Sequence, residues 1–212
     1  MAFESWTLDR TKYLTRREVR MLRKASGRPS AVARGLSARS RFRDWFLIEL
    51  GLETGLRVQE MSDLHCSDLV LVTGSPTVRV RRGKGGKSRT VVVSESFAKD
   101  CRRFLSWKER HGQSVEAEAF VLVGKAGGRA SRRSLQRAFK RVTARAGLPS
   151  YYSIHAMRHT YGTLLYEASG CDIRFVQQQL GHSRVSTTEV YAHVAAGRGR
   201  KSVNRLSKLY RT

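Results

Sequence analysis

The sequence predicts an α+β fold, mainly helical, with one small antiparallel sheet set into a helical bundle. Three observations carry that expectation. Helix-capping and helix-period signals recur on both sides of the chain's middle. Runs of β-branched residues are confined to one stretch, between residues 69 and 93. The 40% hydrophobic content of 212 residues is enough for one ordinary globular core.

Residues 1–12 read as a short lead-in. Thr15 followed by Glu18 spells a capping box, since each side chain can satisfy the other's free backbone N–H, and it opens a helix through 19–25. The stretch Gly27–Arg41, rich in Gly, Ser, Arg and Pro, reads as a basic, mobile connector. An apolar helix at Phe42–Leu52 is expected to centre the core, Gly55 ends it, and another helix begins around Val58. Leu69–Thr73, Thr77–Arg82 and Arg89–Val93 read as short strands separated by GSP and GKGG turns. Ser94 is placed to cap a helix reaching about Arg110, and Phe120–Val123 is expected to add one more short strand. Helices follow at 131–145, 153–168, 172–180 and 186–194, broken by Gly147-Leu148-Pro149 and Gly170. In the tail, 197–212, Val203, Leu206 and Leu209 form an apolar stripe at helical spacing.

Lys and Arg number 41 against 17 acidic residues, a formal net charge of +24, which calls for a polyanionic partner. Anionic membrane surface is the rival to nucleic acid. The charge is spread along the whole chain instead of gathered on one amphipathic helix, which favours a duplex. Cys66, Cys101 and Cys171 are odd in number and lack CxxC spacing, so they read as free thiols of a reducing compartment. The opening MAFESWTLDR has no apolar segment of the secretory kind, and no apolar run approaches the ~18 residues of a membrane span. A soluble, cytoplasmic, DNA-associated protein is expected.

The chemistry sits in TGLRVQE (54–60), RGKGGKSR (82–89), HAMRH (155–159), LGH (180–182) and TTEVYAHV (187–194). Breaking a phosphodiester by transesterification needs a nucleophile, cations for the non-bridging oxygens and an acid for the departing oxygen. Arg57 and Arg158 suit the cationic clamp because a planar guanidinium binds two phosphate oxygens and never titrates. His155 and Arg158 stand three apart and so share one helix face. His182 follows a glycine at a helix end, and Tyr191, nine residues later, offers a phenol. Two decoys fail. The i, i+4 pair His155 and His159 has Ala156 where a zinc protease has its glutamate, and Arg158 would repel a cation, so His159 reads as a packing histidine. GGKS (85–88) has Arg81 where a P-loop begins with Gly, and it lies between two strands.

In this order, Arg57, Lys84, His155, Arg158, His182 and Tyr191 closely resemble the signature of the tyrosine recombinases, phage-integrase-like enzymes that cut and rejoin DNA. The resemblance runs from about Tyr13 to the Tyr191 segment and implies a catalytic domain over 13–196. It implies that Tyr191 attacks the phosphate to give a 3′-phosphotyrosyl link, which stores the bond energy so that no ATP, metal or other cofactor is needed. Lys84, at the hairpin tip, is the implied general acid toward the 5′-hydroxyl, preferred over the solvated Lys87, which is placed for DNA contact. His155 and His182 are implied phosphate ligands, with His155 a candidate acceptor of the tyrosine proton, and Glu60 orients the site. Arg129, Arg132, Arg133, Arg137 and Lys140 are expected to contact the duplex, with Arg132 or Arg133 near base edges. The implied partner is double-stranded DNA, bound by a homotetramer on paired sites, with a monomer possible in free solution and the tail docking into a neighbour or folding back. Typical members carry a further N-terminal helical domain of roughly a hundred residues. The chain therefore reads either as part of a longer recombinase or as a short form similar to the fimbrial-switch invertases, whose YLT…EV opening it shares. A type IB topoisomerase-like activity and a DNA-binding regulator are the alternative functions.

Overall fold

A reciprocal cap starts the first helix. In the computed structural model the Thr15 hydroxyl accepts from the Glu18 N–H at 3.2 Å, and the Thr15 N–H donates to the Glu18 carboxylate at 2.7 Å, opening α1 (Arg16–Ser26). The structure describes residues 9–27, 36–81, 88–182, 187, 188, 190 and 191, with only the backbone described at 36–38. Lys84, Lys87 and the tail at 197–212 lie outside the described residues.

The long helix α2 (Leu36–Thr54) forms the spine, packing against α1, α4, α5 and α6. Phe42, Phe46, Leu47, Ile48 and Leu50 are buried. Phe46 stacks on Phe104 with ring centroids 3.9 Å apart, and Phe42 stacks on Trp107 at 4.8 Å. Phe104 and Trp107 belong to α4 (Glu95–Arg110), whose N-cap Ser94 accepts from the Phe97 N–H at 3.2 Å. Along the chain between α2 and α4 come α3 (Val58–Ser62) and a three-stranded antiparallel sheet of β1 (Leu69–Val70), β2 (Thr77–Val80) and β3 (Arg89–Val92) in sequential order. Val78 pairs with Val91 and Val80 with Arg89. Val78, Val80 and Val91 face the core while Arg79, Thr90 and Val92 face out, the alternation that the pleat imposes. The second half is helical: α5 (Arg132–Arg145), α6 (His155–Ala168) and α7 (Ile173–Leu180), with residues 187, 188, 190 and 191 also helical.

Two expectations are corrected. Residues 36–41 belong to α2 and not to a connector; past Gly35 this stretch has no Gly or Pro, so the helix propagates back from its apolar half. Residues 120–123 form two single bridges, His65 to Phe120 and Val123 to Arg129, instead of a strand. The reason is Lys108, wholly buried on α4, whose ammonium takes the carbonyl of Phe120 and, at 3.3 Å, that of Val121. Those carbonyls are thereby satisfied without a neighbouring strand. Among the described residues, no helix is long and apolar enough to cross a membrane.

Because Phe46 is fully buried and stacked, Phe46→Ala is expected to lower stability by about 3–5 kcal/mol, measured as a fall in the urea midpoint.

Candidate active site

The site grows from the first turns of α6, where a fixed helical offset brings His155, Arg158 and His159 near one another. Arg158 is 6% exposed. Its guanidinium donates to the carbonyl of Gly55 at 2.8 Å and to that of Leu180 at 2.8 Å. Gly55 directly follows α2 and Leu180 ends α7, so the cation rests on carbonyls at two helix C-termini, where the backbone is partially negative. Burial first, and then the neighbouring charge of Arg57, bring its pKa down to about 10, leaving it protonated at neutral pH.

Arg57 is the N-cap of α3. Its N–H donates to Glu60 at 2.7 Å, and its guanidinium reaches the same carboxylate at 3.0 Å. Glu60 is buried and also accepts a two-pronged pair from Arg89, at 2.8 and 2.9 Å. Burial pushes the Glu60 carboxyl up. The bonds and charge of Arg89, the Arg57 N–H and the charge of Arg158 outweigh it, so its pKa falls to about 2.

Arg89 opens β3 and also donates to the carbonyl of Gln179 at 3.0 Å, tying the sheet to the end of α7. There Gly181 turns the chain at φ 65° and ψ 46°. A Cβ on Gly181 would lie 2.7 Å from Cδ of Arg89, so the position needs both a left-handed backbone and no side chain. The turn delivers His182, whose N–H donates to the Gln177 carbonyl at 3.1 Å and whose Nδ1 lies 3.0 Å from the Thr188 hydroxyl. Burial, then Arg158, Arg57, Arg89 and His159, push His182 down to about 3.

Tyr191 is 1% exposed. Its ring lies nearly parallel to that of His182, with centroids 6.3 Å apart, and rests on Gly162, where a Cβ would come within 2.6 Å of Cζ. The phenolic oxygen is 3.5 Å from Nδ1 of His159. Burial raises the phenol's pKa, while Arg158 and Arg57 pull against the rise.

Arg57, Glu60, His155, Arg158, His182 and Tyr191 thus come together: the charges of Arg57 and Arg158 both act on His155, His182 and Tyr191. His155 is exposed and its pKa is lowered by partial desolvation and those two arginines, but the contact of the Tyr191 hydroxyl falls on His159. Arg132, Arg133 and Arg137 are exposed on α5. Arg129 is ion-paired with Asp63, and Lys140 donates to the Ser150 carbonyl. Sequence reasoning missed Arg89, for which a polar residue opening an apolar strand was the available signal, and did not anticipate the contact of His159 with Tyr191.

Glu60→Gln removes the anion shared by Arg57 and Arg89. A carboxyl held at about 2 instead of 4.5 stabilises the fold fully above pH 4.5 and loses that contribution as pH falls toward 2. The stability gap between wild type and variant is expected to be on the order of 3 kcal/mol at neutral pH and to close across that acid window in denaturant titrations. Gly162→Ala is expected to displace the Tyr191 ring, read as faster nitration of Tyr191 by tetranitromethane in a chain that still melts cooperatively.

Residues 12–198 match the model of the phage integrase family. The chain is 38% identical over 152 residues to tyrosine recombinase XerC of Xanthomonas campestris pv. campestris (strain B100), covering 72% of this chain and 44% of that protein. The XerA recombinase structure shares 27% identity at a TM-score of 0.69, over 94% of this chain and 65% of that one. XerH site-specific recombinase, in a pre-cleavage complex with difH substrate, shares 25% identity at a TM-score of 0.72, over 88% of this chain and 51% of that one. The chain spans about half the length of curated relatives such as XerC and XerD. With a family model matched over most of its length and the tyrosine, arginines and histidines of the site gathered in one cluster, the chain belongs to the phage integrase family, the tyrosine recombinases.

Proposed function

We propose that the chain performs site-specific DNA recombination, cleaving and rejoining strands through a 3′-phosphotyrosyl intermediate on Tyr191. The observation that carries this is the juxtaposition of a buried phenol with Arg57, held by Glu60, Arg158, held by two backbone carbonyls, and His182, held by the Thr188 hydroxyl. In the reaction, Arg57, Arg158 and His182 stabilise the charge on the non-bridging oxygens, His155 assists from the exposed side, and Lys84 protonates the 5′-oxygen. The phosphotyrosyl bond conserves the energy of the broken phosphodiester, so the cycle runs without ATP, and the guanidinium charges take the role that a metal has in other phosphoryl transfers.

Double-stranded DNA is the partner, supported by the net charge of +24, by the exposed Arg132, Arg133 and Arg137, and by the difH-bound state of the XerH relative. Residues 13–196 constitute the catalytic unit. A homotetramer on paired sites is the assembly.

The test is covalent capture without added metal. Nicked duplexes from a random-sequence pool are enriched by denaturing recovery on the wild-type chain, and mass spectrometry locates the adduct. DNA is expected on Tyr191, and Tyr191→Phe is expected to lose it at unchanged duplex affinity. Failure of the wild type to capture DNA, or an adduct that persists in Tyr191→Phe, sinks the proposal.

A further inference from the structure

We infer that His159 is a catalytic residue of this reaction, the base that takes the phenolic proton as Tyr191 attacks phosphorus. The inference rests on the strand-cleavage reading above and assigns to His159 a role that the signature pattern leaves to His155. Geometry separates the two histidines. His155 is exposed at the start of α6, whereas His159, one turn further in, places Nδ1 3.5 Å from the Tyr191 oxygen with the two rings inclined at 53°. Gly162, three residues along the same helix, leaves the space that lets the Tyr191 ring lie flat on α6 and bring its hydroxyl to that nitrogen. Closing by about 0.5–0.8 Å gives an ordinary hydrogen bond, a tightening usual when substrate enters a free site.

The charge setting is consistent with a base. His159 faces Arg158 and His155 on its own helix, Lys12 in the short helical turn Arg10–Lys12 that precedes α1, His182 beyond α7, and Tyr191. Burial, then Arg158, His155 and Lys12, hold its pKa at about 4, so the free protein presents a neutral imidazole with a nitrogen lone pair available. A phosphodiester docked on Arg57, Arg158 and His182 offsets that surrounding positive charge and strengthens the base when it is needed. In the step, the phenolic O–H breaks and its proton passes to Nδ1, while Nε2 keeps its own. The phenolate oxygen bonds to phosphorus, and the P–O5′ bond breaks with its electron pair going to O5′, which takes a proton from the general acid. Rejoining reverses each transfer, with the imidazolium returning the proton to the departing tyrosine.

The test uses His159→Ala and His159→Gln with the nicked duplex captured by the wild-type chain. Glutamine keeps a hydrogen-bonding group beside Tyr191 but cannot take its proton. Both variants are expected to bind the duplex within about twofold of wild type. Both are expected to form adduct about 10²–10⁴-fold more slowly at pH 7. Their rates should climb tenfold per pH unit into the alkaline range, because hydroxide must then ionise the phenol, whereas the wild-type rate levels off. A His159→Gln chain that cleaves within a few-fold of wild type with the same pH profile means that His159 only positions the ring, and overturns the inference. The wild-type adduct survives that outcome, so it is distinct from failure of the strand-cleavage reading, in which wild type itself captures nothing.

Discussion

The burial of Arg158 is the constraint on which the rest of the site depends. Taking a guanidinium out of water is costly unless its N–H groups find partners, and here they find the carbonyls that close α2 and α7. Three helices are thereby fastened at one point, since α6 carries the arginine and the other two supply the acceptors. Carbonyl dipoles solvate the charge without cancelling it. Glu60, the carboxylate that could neutralise it, spends its oxygens on Arg57 and Arg89. Among the described residues, Arg57, Arg89 and Arg158 thus face a single carboxylate that bonds only the first two, and the cluster is left electropositive in the manner of an anion-binding cradle.

Burial, with the same field behind it, decides what the histidines are. His155, His159 and His182 all have depressed pKa values, from desolvation first and from the arginines second. They enter the site as neutral hydrogen-bonding groups, not as further cations. Tyr191 feels the opposite balance: burial favours its protonated form, and the arginines favour its anion. The resting arrangement is thus protonated phenol beside neutral imidazole, with the positive charge concentrated on the guanidinium groups.

Local signals in the sequence were legible wherever the determining interaction was itself local. Ser94 caps α4 and the helix runs to Arg110, because an N-cap and an apolar period act over a few residues. The three strands begin at the expected residues, though each ends early: Leu69–Thr73 shortens to Leu69–Val70. The motif residues Arg57, Glu60, His155, Arg158, His182 and Tyr191 were legible through their order along the chain. What escaped was long-range. Lys108 displaces a strand pairing by reaching carbonyls more than ten residues away, and Arg89 finds Glu60 across 29 positions. The contact of His159 with Tyr191 was not legible because the two lie 32 residues apart.

Substitution at this site is most constrained at Gly181. A side chain there incurs two separate penalties, the strain of a left-handed backbone and a collision with Arg89. Shortening Arg89 relieves the collision but releases Glu60, and it leaves the backbone strain where it was. No single second change at position 89 rescues a first change at position 181. The placing of His182 therefore depends on a glycine, an arginine and a glutamate acting as one unit drawn from a turn, a strand and a helix.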